Sequence, residues 1–567
     1  MNDNKKRHHP IRRQRKTQEP EVPDPRASPE LVEEPPRRER RALSHVGGDV
    51  EFAAGSDAER SGLAKALDVS SAEDEVMMDV HGFHSYPARL HPLTARRLIE
   101  EFSAPGATVL DPFCGSGTVV VEARALGRSA RGSDLNPLAV ELSWLKSRAP
   151  GEKQRSELLS AAARIAEVAE ERRLAKADPY VRYDSDDRDR YPIHILLELD
   201  SLAHGISLVR TSEVERSLRL VVSSILTKVA HSEGDTTRRR SPRRLPAGFA
   251  IELFLNKTEE LVRRLAAYHS RLAKRAPRAY VDCCDARQMA KVESDSVDLI
   301  ITSPPYPGVY DYLDHHLHRI SWLGLRAGGL QAGEIGARRE YRRLSLHEAA
   351  RKWQDELGAT LWESRRALTP EGRGIVVIAD SVVDRRPLRA DEQVRSIADR
   401  AGIDVTCIAS QPRPLFLHGA DQAFTSRPRM EHVVVFRPKD RSARRPRLDR
   451  KTEAELQQLR DRPRPERFQR PSPQRTSDDR PRGHFGDRPR DDRPRGHFGE
   501  RGRNDNRGRD DRPRGHFGER PRDDNRGRAH GERDRSAAYG RDNQANTWGS
   551  KPEGAARPSW KSSRKPR

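Results

Sequence analysis

Long apolar runs are missing from this sequence. Across its 567 residues no uninterrupted apolar stretch approaches the roughly 18 residues needed to cross a bilayer as a helix. The N-terminal "MNDNKKRHHPIRRQRK" also lacks the apolar segment that follows the charged start of a secretory signal. Cysteine is scarce. The four present (Cys114, Cys283, Cys284, Cys407) show no CxxC spacing and are too few for a disulfide scaffold, which fits a reducing compartment. Aromatic residues make up 5% of the chain and hydrophobic residues 34%, matched by another 34% that is charged, so a single core cannot organise the full length. The expectation is a soluble, cytoplasmic protein that is folded in only part of its length.

What is abundant is positive charge, unevenly placed. The formal net charge is +21. Residues 440–567 hold 37 Lys and Arg against 22 Asp and Glu, a net of +15, whereas residues 1–74 hold 14 against 15, a net of −1. A basic excess of this kind attracts polyanions, and nucleic acid is the usual soluble partner. A membrane surface is not expected, because the tail contains no amphipathic basic helix. Residues 1–74 read as a disordered arm with one short helix near Ala58 to Leu67. From residue 440 the chain repeats "RPRGHFG", beginning at Arg480, Arg493 and Arg512, in units too short and polar to stack on one another. This tail reads as disordered. Its guanidinium forks and the rings of Phe485, Phe498 and Phe517 suit weak, sequence-tolerant binding of RNA or single strands, with a purely solubilising role as the other reading.

Between the tails, short apolar runs bounded by turn residues ("ATVLDPF", "SARGSDL", "DLIITSP", "GIVVIAD", "EHVVVFRP") alternate with helical patterns. That alternation predicts an α/β fold on a mostly parallel sheet, with the last run as an antiparallel edge strand. The pattern holds over 75–145 and 279–439. Residues 146–278 read instead as a helical insert, with a 3.6-residue period in "SELLSAAARIAEVAEERRLA" and "FLNKTEELVRRLAAYHSRLA". Its loop "GDTTRRRSPRRLP" places Arg238, Arg239, Arg240, Arg243 and Arg244 within seven residues. A basic loop of this kind follows a phosphate backbone, or is simply a solvated turn.

The first chemical motif is "VLDPFCGSGTVVVEARALG", a strand, an acid, a glycine-rich turn and a helix start in that order. Gly115 and Gly117 remove side chains where a ligand must approach the backbone. Taken alone, such a turn also serves merely as a corner. The next strand ends in "GSDLNP", placing Asp134 seventeen residues beyond Gly117, close to where the acid that holds ribose hydroxyls stands in nucleotide-binding βαβ units. A dinucleotide oxidoreductase would show GxGxxG. Here Asp111 lies where a pyrophosphate would be repelled, and an acid beside the glycines suits a ligand bearing an ammonium and a sulfonium.

The second motif is "DLIITSPPY". Pro304 and Pro305 fix two φ angles, force Ser303 into an extended conformation and remove two backbone donors, so acceptors remain at the carboxyl edge of the sheet beside the aromatic face of Tyr306. Acceptors next to an aromatic plane suit a planar base with an exocyclic amino group. They favour a pyramidal nitrogen whose lone pair can attack an electrophilic methyl in line, and no strong base is needed because the nitrogen grows acidic as its new bond forms.

"DPFCGSGT" followed by "GSDLNP" and then "CDARQM...DSVDLIITSPPY" resembles the amino-methyltransferases of nucleic acids, which use S-adenosyl-L-methionine to methylate N4 of cytosine or N6 of adenine. The resemblance runs from about His81 to Pro438 with the insert skipped. It implies a Rossmann-like methyltransferase sheet in which Asp111, Phe113, Gly115 and Gly117 surround the methionine part of the cofactor, Asp134 holds the ribose and Asp285 the adenine amino group. Ser303, Pro304, Pro305 and Tyr306 would form the catalytic corner that grips the target base. Upstream, "FHSYPARLHP" resembles the segment that closes over the methionine end through Tyr86, Pro87 and Ala88. Its histidines, His84 and His91, read as packing or hydrogen-bonding residues, and no metal is expected.

Two features depart from the family pattern. The helical insert replaces a short link between the Asp134 and Asp285 strands and is a candidate target-recognition element. "SPPY" is commonest among cytosine-N4 enzymes, whereas adenine-N6 enzymes more often carry Asp at position 303. The expected function is therefore methyl transfer to a base amino group in DNA. An enzyme acting on transfer or ribosomal RNA stands as the alternative, since unpaired loops spare the cost of base extrusion, although those enzymes more often carry Asn before Pro-Pro. A non-catalytic nucleic-acid binder that retains the fold is a third reading, and a small-molecule or protein methyltransferase is disfavoured by the charge.

Overall fold

In the computed structural model, the structure describes residues 49–69, 72–231, 244–413 and 421–446, together with Leu448, Glu453 and Ala454. The repeat-bearing tail and Arg238, Arg239, Arg240 and Arg243 of the basic loop lie outside the described residues; Arg244 is exposed at the loop's end.

Ten strands are present among the described residues: β1 (Glu51–Ala54), β2 (Thr108–Asp111), β3 (Ser129–Asp134), β4 (Tyr280–Cys283), β5 (Val297–Thr302), β6 (Leu368–Ala379), β7 (Ser381–Val383), β8 (Arg386–Leu388), β9 (Ile403–Pro412) and β10 (Met430–Pro438). The α-helices are α1 (Asp57–Leu67), α2 (Pro92–Phe102), α3 (Thr118–Ala125), α4 (Pro137–Lys146), α5 (Glu152–Leu174), α6 (Ser185–Arg190), α7 (Ile193–Ser207), α8 (Ser212–Ile225), α9 (Phe249–Arg271), α10 (Tyr312–Trp322), α11 (Gly328–Gly333), α12 (Arg338–Tyr341), α13 (Leu346–Ala367) and α14 (Ala390–Ala401).

Eight strands form one sheet in the order β1-β9-β10-β6-β5-β2-β3-β4. The strands from β4 to β6 run parallel; β10, β9 and β1 join antiparallel. Successive residues of the central strands feed opposite faces, as a period of two requires. Val109, Leu299 and Ile375 pack beneath α1, α2 and α3, while Leu110, Ile300 and Val376 pack beneath α13 and α14 around Trp353. Both faces are covered, which is why these strands read as near-continuous apolar runs.

The structure corrects the sequence reading in three places. β10, "MEHVVVFRP", is antiparallel as expected but lies inside the sheet between β6 and β9; the edges are β1 and β4. The arm read over residues 1–74 does carry the short helix expected near Ala58 to Leu67, as α1, but over 51–67 it packs on the sheet: β1 pairs with β9, and α1 buries Leu63, Ala66 and Leu67 against the α2 face. A four-residue strand whose partner lies some 350 positions away leaves no local signal. Third, the helical insert shares one hydrophobic core with the sheet's own helices, since Val121 of α3 and Leu138 and Leu142 of α4 cluster with Leu199, Leu218 and Phe254. The Tyr268 hydroxyl donates to the Val121 carbonyl at 3.1 Å, and Arg271 reaches the fully buried Glu122 of α3. The insert is thus built into the α/β unit.

Candidate active site

The glycine bend after β2 and the proline corner after β5 lie side by side. β2 and β5 are adjacent parallel strands, and the Thr302 hydroxyl donates to Asp111 Oδ1 at 2.8 Å. Asp111, Phe113, Gly115 and Ser303 line one cleft, closed on the other side by Tyr86 and Ala88. Ala88 takes a left-handed conformation at φ +50°, an unusual backbone for an alanine that turns the chain over the cleft. Pro87 sits partly buried beside it.

The glycines are needed for close approach. Gly117 caps α3 at φ +91°, and a Cβ there would stand 2.9 Å from Ser143 Cα. A Cβ on Gly115, at φ +48°, would meet the Tyr86 ring at 3.2 Å. Asp134, at the end of β3, shapes the bend: its Oδ2 accepts from the Gly115 N–H at 2.9 Å and its Oδ1 from the Asn136 N–H at 2.8 Å.

The carboxyls of the buried Asp111 and the half-buried Asp134 thus stand on adjacent strands. Burial pushes Asp111 up to about 7, with the Asp134 charge adding to it. Burial pushes Asp134 to about 6. Among the described residues neither forms a salt bridge with a basic side chain. Such a pair is suited to a cationic ligand, which supplies the missing counter-charge.

At the proline corner Ser303 is half-buried and Pro304 buried. The Tyr306 phenol donates to Glu431 Oε1 at 3.3 Å; burial first, then the Glu431 carboxylate, pushes it above the ordinary phenol range. Pro305 and Tyr306 present their carbonyls toward Gly336, whose φ is +68°.

Several supporting residues escape sequence reading. The Tyr86 ring stacks on His316 at 4.9 Å, and Asn136 Nδ2 lies 2.8 Å from His316 Nδ1 and 3.4 Å from the Tyr86 hydroxyl. The "DLNP" run held a signal, for an Asn directly before a Pro at a helix start is a cap, and Asn136 Oδ1 does accept from the Leu138 N–H. His316 and Glu431 stand on elements distant in sequence and gave none. His84 bonds the Ser85 carbonyl and the Ser223 hydroxyl, and His91 caps α2 by accepting from the Leu93 N–H at 3.1 Å. Arg319 of α10 lies 3.3 Å from His84 Nε2 and 3.1 Å from Thr227 Oγ1, joining the helix after the proline corner to the insert.

Asp285 follows β4, as the resemblance implies, but both of its oxygens already accept from Arg287: Oδ1 from Nε at 2.9 Å and Oδ2 from a terminal nitrogen at 2.7 Å. Among the described residues Asp380, Asp391 and His432 bring donor atoms within 4.8 Å of one another. Arg389 pairs with Asp380 at 2.8 Å and Arg427 with Asp391 at 3.0 Å, so arginines already balance this acidic group. No helix among the described residues is long and apolar enough to cross a membrane.

An acid-flanked glycine bend next to a Pro-Pro corner thus stands at the carboxyl edge of a Rossmann-like α/β sheet. Comparison with known proteins finds partial matches. The profile described as DNA methylase matches residues 26–144, which include Asp111, Gly115, Gly117 and Asp134. The Type II methyltransferase M.MvaI of Kocuria varians is 39% identical over 70 residues, 12% of this chain and 15% of that protein. The Type II methyltransferase M.BsoBI of Geobacillus stearothermophilus is 24% identical over 274 residues, 43% of this chain and 53% of that protein. The chain thus spans about half the length of the second relative and a smaller part of the first. Among solved structures, TrmN from Thermus thermophilus aligns with 14% identity over 62% of this chain and 50% of that chain, at a TM-score of 0.24. The comparisons thus liken residues 26–144 to DNA methylases and parts of the chain to two Type II methyltransferases.

Proposed function

We propose that the chain transfers a methyl group from S-adenosylmethionine to an exocyclic amino nitrogen of a DNA base, N4 of cytosine in preference to N6 of adenine. The observation that carries this reading is the shared cleft. Asp111, buried and without a cationic partner among the described residues, lines the same wall as Ser303 of the proline corner.

The residues present fit the cofactor. Asp111 would face its ammonium and sulfonium charges, the Gly115 backbone would leave room for its methionine end beneath Tyr86, and Asp134 would hold the ribose. Bound there, S-adenosylmethionine supplies an electrophilic methyl. The chain's own residues do the rest. The Ser303 hydroxyl and the Pro304 carbonyl accept the amine's hydrogens, drawing its lone pair out of conjugation, and Tyr306 packs on the base plane. With a base and cofactor in place, the half-buried rings of Tyr86 and Tyr306 would limit the access of water, which would strengthen those bonds. The amine's proton is lost once the nitrogen has become cationic, so no dedicated base is required. Ser at position 303 favours cytosine. With both acceptors of Asp285 engaged by Arg287, recognition of the cofactor's own adenine amino group through that residue would need the ion pair to share or release an oxygen.

The test is direct. The purified protein is incubated with methyl-labelled cofactor and separate DNA and RNA pools, which are then digested to nucleosides. N4-methyldeoxycytidine is the expected product; N6-methyldeoxyadenosine would change the base, a labelled ribonucleoside would move the substrate to RNA, and no label in either pool would overturn the reading.

A further inference from the structure

Tyr306 is held by an acid from β10, an antiparallel strand two places along the sheet from β5. Because β10 runs antiparallel to β6, its first residues reach the carboxyl edge where the proline corner stands; Glu431 pairs with Ala379, the last residue of β6, and with Gln411 of β9. One carboxylate oxygen, Oε1, accepts from the Tyr306 phenol at 3.3 Å, and the other, Oε2, accepts from Arg413 Nε at 2.9 Å. Arg413 is 2% exposed in its side chain and Glu431 19%. The Arg413 backbone N–H donates to the Arg429 carbonyl at 2.9 Å, which fixes the backbone that carries this side chain just after β9.

We propose that Glu431 and Arg413 are positioning residues for methyl transfer: Arg413 fixes the Glu431 carboxylate, which through the Tyr306 phenol sets the angle of the ring that receives the target base. This rests on the function proposed above. Neutralising a buried arginine needs only one carboxylate oxygen. The second bond is directed at the one aromatic residue of the corner, and an acceptor that carries charge makes it the stronger kind of hydrogen bond. Packing on one face of the ring leaves its tilt to be set at the phenol end, and in-line transfer is sensitive to small errors in the placement of the amine.

The test is a double-mutant cycle read in single-turnover methyl transfer at saturating cofactor, using the full chain and the DNA substrate identified above. Tyr306→Phe and Glu431→Ala should each slow transfer about tenfold, the equivalent of one oriented hydrogen bond. The double variant should be no slower than Glu431→Ala alone, since both changes break the same bond. Glu431→Gln, whose amide oxygen can still accept from the phenol, should recover part of the rate, and cofactor affinity should remain at the wild-type value throughout. Effects that multiply to about a hundredfold, or a Glu431→Ala protein that loses thermal stability while transferring at the wild-type rate, would show that Glu431 only neutralises Arg413. Should Glu431→Ala fail to fold, the cycle of Tyr306→Phe with Glu431→Gln carries the same criterion. A wild-type protein that transfers no methyl defeats the parent reading, and this inference with it.

Discussion

Thr302 and Asp111 are joined by a 2.8 Å hydrogen bond across two adjacent strands, the hydroxyl of the residue before the proline corner donating to the acid of the glycine bend. That bond, with the Phe113 N–H at 3.1 Å, opposes the burial that pushes Asp111 up to about 7. A cationic cofactor prefers the ionised carboxyl, so affinity should rise with pH through about 7 and level off above it, falling about tenfold per unit below. Thr302→Val removes the donor and should move the midpoint upward. Titration calorimetry from pH 5.5 to 8.5 reads it, and in buffers of different ionisation enthalpy should show proton release on binding below pH 7. An affinity that is flat with pH would mean Asp111 does not meet the ligand's charge.

Binding and chemistry should separate between the two bends. Asp134 orders the backbone of Gly115 and Asn136 at the glycine bend, whereas Tyr306 stands at the proline corner after β5. Asp134→Ala is expected to abolish cofactor binding. Tyr306→Ala is expected to keep that affinity within about threefold while reducing turnover by about a hundredfold, through loss of base orientation. Equilibrium dialysis and labelled-methyl transfer distinguish them, and equal losses of binding in both variants would contradict the division.

The parallel half of the sheet and both loops were legible because each is a local pattern. A buried strand, an acid and a glycine turn fit within "VLDPFCGSG", and "DLIITSPPY" combines a strand with its terminator. What escaped depends on contacts far apart in the chain. The pairing of β1 with β9, the interior place of β10 and the reach of Glu431 to Tyr306 are each set by sheet order, which no short window contains. The merging of the insert with the α/β core was likewise invisible, because an amphipathic helix shows which face it buries but not against what. Asp285 lay between these cases. Its position was readable, but its engagement by Arg287 two residues on was not.

Glu122 of α3 carries a strong acid-stability expectation. Its carboxylate is fully buried; burial alone would raise it, but bonds from His81 and Arg271 outweigh that and hold it near 2. Burial holds His81 itself below the ordinary imidazole value, so Arg271 and Arg96 supply the balancing charge. With the folded value below the unfolded 4.5, the contribution is fully present above about pH 4.5 and is lost as pH falls toward 2. Glu122→Gln should lower stability at pH 7 by about 3 kcal/mol and flatten the acid limb of a urea-midpoint profile. A variant as stable as wild type would place the insert's anchorage elsewhere.

Gly117 tests whether the bend itself, rather than its acids, sets cofactor access. Alanine there must adopt φ +91° and bring its Cβ to 2.7 Å from Ser143 Oγ and 2.9 Å from Ser143 Cα, so that α4 has to move. Either effect alone costs about 1–3 kcal/mol, and the backbone contact cannot be relieved by rotating a side chain. Gly106 provides the control: it too has a positive φ, +84°, but beyond its chain neighbours nothing lies within 4 Å of where a Cβ would stand, so alanine there carries only the backbone strain. Gly117→Ala is therefore expected to lose stability beyond the Gly106→Ala protein and to weaken cofactor binding at least tenfold, whereas Gly106→Ala keeps wild-type affinity. Thermal unfolding with and without cofactor measures both quantities, and equal behaviour of the two variants would show that the Gly117–Ser143 contact does not shape the cofactor bend.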